Sequence, residues 1–347
     1  MAPASPQGAR HRLRLGERPV LVAPDSFKGT FSAPQVAGAI GRGLERGGLM
    51  PPDLCPVADG GEGTLDALLP QLGGELIAAR VQDPLGRPVN AGFGLVEDGG
   101  TALVEMASAS GLGLVAEDDR DAWAASTYGT GELIAAAVGA GAQVVLVAVG
   151  GSATTDGGAG ALEAIEAGGG LRGAKLVVLC DVRTAFEDAP RVFGPQKGAD
   201  PDMVERLRER LDELAQRLPR DPRGVPMTGG AGGLSGGLWA AHGAVLEPGA
   251  PWVLDALDFD ARMRASRAVV TGEGKLDEQT LEGKLVGEIG TRARQAGVPL
   301  HAIVGTDALD AFSKRMIDLQ VVIAATTLEE IEAAGEDLGR RLATGDA

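Results

Sequence analysis

Residues Val144–Gly160 read V-V-L-V-A-V-G-G-S-A-T-T-D-G-G-A-G. The apolar run Val144–Val149 reads as a strand. It ends in glycines, three small hydroxylated side chains and a carboxylate, and a helix-forming stretch, Ala161–Ala167, follows. A strand that feeds a glycine-rich turn into a helix N-terminus aims backbone N–H groups at one spot, and the helix dipole adds partial positive charge there. Phosphate is the usual guest. Ser152, Thr154 and Thr155 can donate further hydrogen bonds, and Asp156 can hold a cation. A lone turn of this kind is most often only a tight connection. Three more turns built from glycine and acid occur in this chain, and they favour a binding site.

Around this stretch the chain has 347 residues, enough for two domains and a core that needs no staples. Its 54 glycines cluster in turns without a G-X-Y period, which suits an α/β protein rich in loops. A net charge of −16 argues against nucleic acid and anionic membrane surfaces as partners. An acidic protein with an anionic ligand must gather its cations locally, so each Lys or Arg in a glycine-rich turn carries weight. Cys55 and Cys180 lie in or beside apolar runs and read as buried thiols, which suits a reducing cytoplasm. His11, His242 and His301 are dispersed and the cysteines are not paired, so no zinc site is expected. No stretch approaches the length of a membrane span. Residues 1–17 lack the apolar segment of a secretory signal and read as a flexible tail, with a transit peptide as the alternative.

The pattern along the chain predicts strands at Val20–Ala23 and Leu54–Ala58. Helices are expected after a capping box at Ser32 and Gln35, and over the Leu65, Leu68, Leu69 and Leu72 stripe. From about Arg80 the texture changes. Val89–Val96 and Thr101–Met106 read as a strand pair. A helix at Thr130–Gly139, the Val144–Val149 strand, a helix at Gly158–Ala167 and a strand at Leu176–Cys180 follow. An amphipathic helix is expected over Asp202–Leu218, then a glycine-rich turn at Gly229–Gly237. After Asp255 the first texture returns, with strands at Ala268–Thr271, Leu300–Val304 and Val321–Ala325. Helices are expected at Leu281–Ala296, at Ala308–Met316 and after a capping box at Thr327 and Glu330. The expected fold is α/β with two domains. Residues 18–79 and 256–347 build an open parallel Rossmann-like sheet, and residues 80–255 form a second α/β domain inserted into it.

Ligands of open parallel sheets sit beyond the carboxyl ends of the strands. The strands assigned to the first domain leave P-D-S-F-K-G (Pro24–Gly29), A-D-G-G-E-G (Ala58–Gly63), T-G-E-G-K-L-D (Thr271–Asp277) and V-G-T-D (Val304–Asp307) at that edge. Asp25, Lys28, Asp59, Glu62, Glu273, Lys275, Asp277 and Asp307 are therefore expected on one edge. Phosphoryl transfer needs cations over the transferring group and carboxylates for Mg²⁺. Lys28 and Lys275 can supply the charge, and Asp59, Glu62 or Asp277 can hold Mg²⁺ or accept a hydroxyl proton. Lys197, in F-G-P-Q-K-G-A (Phe193–Ala199), is either an anion contact or part of a surface loop. Asp181 and Glu105 end strands and can serve the cleft or merely the turn. No P-loop occurs. The one G-x-G-x-x-G, Gly168–Gly173, follows a helix and precedes a strand, the reverse of the dinucleotide context.

At these turns the chain resembles the type 1 glycerate kinases of bacteria. The matching stretches are A-P-D-S-F-K-G (Ala23–Gly29), P-V-A-D-G-G-E-G-T (Pro56–Thr64), D-P-L-G-R-P-V (Asp83–Val89), V-E-M-A-S-A-S-G-L (Val104–Leu112), T-G-E-L-I (Thr130–Ile134), G-G-S-A-T-T-D-G-G-A-G (Gly150–Gly160), F-G-P-Q-K-G-A, G-A-G-G-L-S-G-G (Gly230–Gly237) and T-G-E-G-K-L-D. They cover Val20 to about Thr306 in the family order. Two departures stand out: a short glycine-rich link at Glu166–Ala174, and a shorter, weakly matching part after Asp307. The resemblance implies an ATP- and Mg²⁺-dependent kinase that converts D-glycerate to 2-phosphoglycerate in a cleft between two domains. On that reading Asp25, Ser26, Lys28 and Lys197 contact substrate. Gly150, Gly151, Ser152, Thr154, Thr155, Gly157 and Gly158 hold ATP phosphates, and Asp59 and Glu62 bind Mg²⁺. Asp181 or Asp277 orients the hydroxyl, and Lys28 and Lys275 stabilise charge. The alternatives are formation of 3-phosphoglycerate, another small hydroxy acid as acceptor, and a non-catalytic nucleotide-binding regulator. The expected partner is the small acid alone, with a homo-oligomer compatible.

Overall fold

The computed structural model describes residues 18–281 and 284–346. The N-terminal tail expected over 1–17 lies outside the described residues, as do positions 282–283 of the helix expected at Leu281–Ala296. Thirteen strands are present among the described residues: β1 Val20–Pro24, β2 Asp53–Leu54, β3 Glu75–Gln82, β4 Pro88–Val96, β5 Thr101–Glu105, β6 Val144–Ala148, β7 Lys175–Cys180, β8 Val245–Pro248, β9 Ala268–Gly272, β10 Lys275–Leu276, β11 Leu300–Val304, β12 Thr306–Asp307 and β13 Leu319–Ala324.

They form two main sheets. The first has the order β13-β11-β9-β1-β2 and is parallel throughout. From β1 the chain steps to β2 on one side. After the insertion it returns at β9 on the other side and steps outward through β11 to β13. The order therefore reverses between β1 and β9, and that crevice is where an open α/β sheet binds its ligand. The second sheet has the order β3-β4-β5-β6-β7-β8, antiparallel from β3 to β5 and parallel from β5 to β8. The fold is α/β, with a Rossmann-like sheet from the two ends of the chain and a second α/β unit inserted.

The central strands β1, β6, β9 and β11 are buried on two faces, which is why they read as apolar runs without alternation. Val20 and Val22 of β1 pack with Ile40, Leu44, Ile331 and Leu338 of the helices Ala33–Arg46 and Leu328–Thr344. Leu21 and Ala23 point the other way. There one continuous cluster joins Leu21 and Val269 of the first sheet to Leu103 and Leu146 of the second, through Leu68 and Leu254 of intervening helices. Full burial of each such Leu or Val is worth roughly 1.5–3 kcal/mol, so the two sheets are held together by packing as well as by the chain. On the far face of the second sheet, Val145, Val147 and Val178 meet Leu133, Ile134, Ile165 and Leu234.

Both capping boxes form. Gln35 Oε1 accepts the Ser32 N–H at 2.9 Å, and Glu330 Oε2 accepts that of Thr327 at 3.2 Å. Both cysteines are buried free thiols. No helix among the described residues is long and apolar enough to cross a membrane. Some elements differ from expectation. The strand expected over Leu54–Ala58 pairs only at Asp53–Leu54, because Pro52 and Pro56 interrupt its donors. The chain still follows β1 through Cys55 N to Val22 O at 2.8 Å and Val57 N to Pro24 O at 3.0 Å. The Leu65–Leu72 stripe is helical only over Thr64–Leu68. The turn at Gly229–Gly237 tightens to Gly230–Gly233, and Gly236 and Gly237 enter the helix Leu234–His242. Strands β3, β8, β10 and β12 were not anticipated.

Candidate active site

The loops after β1 and β9 flank the reversal point and line a cavity of about 490 Å³ with Asp25, Ser26, Lys28, Asp59, Glu273, Lys275, Asp277 and Lys284. Lys28 Nζ lies 2.7 Å from Asp59 Oδ2, and Asp59 Oδ1 accepts the Gly61 N–H at 2.9 Å. The glycines beside Asp59 have a steric reason. Gly60 has φ +89°, and a Cβ there would stand 2.5 Å from Gly249 Cα, so only glycine lets the two segments meet. Asp25 is buried and accepts the Ser26 N–H at 2.7 Å. Burial first, and then the Asp59 charge, push Asp25 well above the carboxylate range. Burial alone would lower the Lys28 ammonium, but Asp59 and Asp25 outweigh it and hold it above its ordinary value. Burial pushes Glu273 up to about 7, although Thr280 Oγ1 donates to its Oε1 at 2.8 Å. Lys275 pairs with Asp277 at 3.1 Å.

A second, larger cavity of about 850 Å³ opens beyond the ends of β6 and β7. Val149–Ser152 and Asp181–Thr184 line it, with Val192, Phe193 and Gln196. Lys28, Asp59 and Lys284 line both cavities, so the two are lobes of one cleft that meet at the Lys28–Asp59 pair. Burial and the Asp59 charge push Asp181 up to about 6.

The turn after β6 is built differently from its sequence reading. Asp156 is buried, and its carboxylate accepts from Thr127 N (2.9 Å), Thr127 Oγ1 (2.8 Å), Gly158 N (3.0 Å) and Gly160 N (3.2 Å). Gly157 N donates to Gly232 O at 3.1 Å and Ala159 N to Asp156 O at 3.1 Å. The N-terminus of the helix Ala159–Ala167 is thus already occupied by the chain's own carboxylate, and Asp156 is an anchor with no room for a cation. Thr154 and Thr155 are fully buried, and Gly157 and Gly158 pack on Leu211 and Leu234. Gly150, Gly151 and Ser152 remain as the part that lines the cleft.

Lys197 is also not in the cleft. It is buried, and its Nζ donates to Ser152 Oγ at 2.8 Å and to the Thr154 carbonyl. Burial pushes its ammonium down to about 7. It braces the turn from beneath, where the sequence suggested an anion contact. Two further segments brace the same turn: Leu112 N donates to Gly151 O at 2.7 Å and Ala153 N to Ser110 O at 3.0 Å, while Gly232 approaches Thr154 too closely for any Cβ.

Glu62 lines a flanking cavity of about 270 Å³ with Ser26, Lys28 and Glu105, and its Oε2 lies against the cleft turn, 2.7 Å from where a Cβ on Gly151 would stand. Glu105 caps the helix Thr64–Leu68 by accepting Leu65 N at 3.1 Å. Asp307 pairs with Lys314. Asp83 accepts Leu85 N at 2.8 Å and Arg87 N at 2.9 Å, so the D-P-L-G-R stretch is a hairpin turn. Among the described residues no group of three His, Cys, Asp or Glu side chains forms a metal cage. Lys284, Arg183 and Thr184 line the cleft and were missed. Lys284 follows a glycine in a polar loop, a weak signal. Arg183 and Thr184 follow a strand end, and only position after a parallel strand could have pointed to them.

Comparison with known proteins decides the family. The glycerate kinase family model matches residues 20–170 and 167–344. This chain belongs to the glycerate kinase family. Membership extends through the C-terminal part, where the motifs were weakest. A glycerate kinase of Bacillus subtilis is 39% identical, with 92% of this chain and 95% of that protein covered. Glycerate 2-kinase of Escherichia coli is 36% identical, with 90% of this chain and 92% of that protein covered. A crystal structure from Salmonella typhimurium, provisionally described as glycerate kinase 2, superposes with a TM-score of 0.79 at 34% identity over 94% of this chain and 99% of the other. As a member of this kinase family the protein is a phosphotransferase that uses ATP.

Proposed function

We propose that the enzyme transfers the γ-phosphoryl group of ATP to the 2-hydroxyl of D-glycerate, giving 2-phosphoglycerate. The observation that carries this reading is the two-lobed cleft with Lys28 and Asp59 at its junction. The larger lobe, bounded by Gly150–Ser152, takes the nucleotide. The lobe at the strand-order reversal takes glycerate, with its carboxylate on Lys28. The Ser26 amide is committed to Asp25, so the lysine carries that contact.

The oxygen donors at the junction suit Mg²⁺, which commonly takes one or two carboxylates together with substrate phosphates. Asp59 at the junction and Glu62, whose carboxylate lies against Gly151, are the two placed for this. When bound, Mg²⁺ supplies neutralisation of phosphate charge. Asp181, with its value near 6, is ionised at neutral pH and takes the proton of the acceptor hydroxyl as the new O–P bond forms and the bond to ADP breaks. Lys275, held by Asp277, covers charge on the transferring group.

The first lobe, at about 490 Å³, exceeds the volume of a three-carbon acid, and this favours a larger hydroxy acid as the second reading. A reducing cytoplasm is the compartment we propose, in keeping with the two buried thiols. ADP release dependent on D-glycerate tests the function. Asp59→Asn should abolish it; unchanged turnover would remove the metal assignment.

A further inference from the structure

We infer that Arg183 is the polyphosphate-binding cation of the larger lobe, contacting the β- and γ-phosphates of the nucleotide. The inference rests on the nucleotide occupying that lobe.

The charge around the cleft leads to it. The chain carries a net charge of −16, and Asp25, Asp59, Asp181 and Glu273 all line the two lobes. A triphosphate brings several more negative charges into the same space. The usual protein answer, a helix N-terminus behind a glycine turn, is closed here: the amides of Gly157, Gly158, Ala159 and Gly160 are bonded internally, and Asp156 puts a carboxylate where phosphate would sit. Lys197 is sealed beneath the turn. Lys28 is held by Asp59, and Lys284 offsets Asp181 and Glu273.

Arg183 differs from these cations. It lies two residues past Asp181, lines the larger lobe and is exposed. Its guanidinium makes no hydrogen bond or ion pair among the described residues, whereas Arg223, Arg262 and Arg292 are each held by carboxylates. Its backbone is fixed. Met227 N donates to the Arg183 carbonyl at 3.3 Å, and Gly229 N to that of Thr184 at 2.9 Å. A planar fork of donors on a pinned segment, lining a cavity that the Gly150–Ser152 turn also lines, suits phosphate oxygens.

The test is titration calorimetry of ATP, ADP, AMP and inorganic tripolyphosphate against the full chain and two variants, Arg183→Gln and Arg183→Lys, with thermal melts to confirm folding. Charge-assisted bonds of this kind predict that Arg183→Gln weakens ATP, ADP and tripolyphosphate by roughly 10- to 100-fold and leaves AMP unchanged. Arg183→Lys should recover part of the loss. An equal loss for AMP and ATP would mean that the residue only shapes the loop, and no loss for any ligand would remove it from the site; either result overturns the inference. Wild-type protein that binds neither ATP nor tripolyphosphate also overturns it. Wild-type protein that binds ATP but does not phosphorylate glycerate leaves it standing and removes only the proposed acceptor.

Discussion

His301 sits in β11, between Val270 of β9 and Val321 of β13 in the sheet register. It is fully buried, and neither ring nitrogen has a hydrogen-bond partner. Burial pushes its pKa down from 6.5 to about 4. The folded protein therefore keeps the neutral imidazole, while the unfolded chain binds a proton below its ordinary value. Stability from this site is intact above pH 6.5 and is lost as the pH falls from there toward 4. A shift of this size corresponds to about 3 kcal/mol in total. His301→Leu removes both the titration and the unsatisfied nitrogens. At pH 7.5 the variant should be more stable by about 1–3 kcal/mol, from the lost desolvation penalty. Below pH 6.5 its advantage should widen by about 1.4 kcal/mol per pH unit, levelling off near pH 4. Urea unfolding of both proteins between pH 7.5 and 4 measures this directly. The raised carboxylates of the cleft titrate in both proteins and cancel in the difference. Parallel stability curves at all pH values would refute the reasoning, because they would mean that His301 ionises in the fold as readily as in the unfolded chain.

Other expectations concern the cleft. With Asp181 as the base, kcat/KM should fall about tenfold per pH unit below about 6, and Asp181→Asn should remove that limb along with most of the activity; a pH–rate profile checks both. Lys28→Met should lower kcat/KM roughly 100- to 1,000-fold while circular dichroism stays native, since its side chain is exposed to the cleft and bears no packing load. Lys197→Met should leave Ser152 Oγ and the Thr154 carbonyl without their buried donor and cost about 1–3 kcal/mol in denaturant unfolding, which a surface-loop lysine would not.

The sequence made the sheet cores legible because β1, β6, β9 and β11 are buried on both faces and therefore apolar throughout. The turns after them were legible because each mixes glycine with charge. β3 was missed because its residues, E-L-I-A-A-R-V-Q, form an edge strand with Leu76 and Arg80 exposed, so neither period two nor a buried run marks it. The pair β10 and β12 is two residues long on each side and exists only because two loops meet. Within the site, the carboxylates of the reversal point were found, since the ends of parallel strands are a positional rule. Asp156 and Lys197 were misread for one reason. Each depends on partners far away in sequence, Asp156 on Thr127 (beside the nearby amides of Gly158 and Gly160) and Lys197 on Ser152 and Thr154, and whether a polar side chain faces a ligand or its own backbone is decided largely by such distant contacts.

The reaction proposed for this cleft is transfer of phosphate from ATP to the 2-hydroxyl of D-glycerate. Phosphorus NMR of purified protein incubated with ATP, Mg²⁺ and D-glycerate tests it most directly. The resonance of 2-phosphoglycerate should grow as ATP is consumed. A 3-phosphoglycerate signal would contradict the hydroxyl assignment, and no phosphoglycerate from folded, ATP-binding protein would contradict the claim itself.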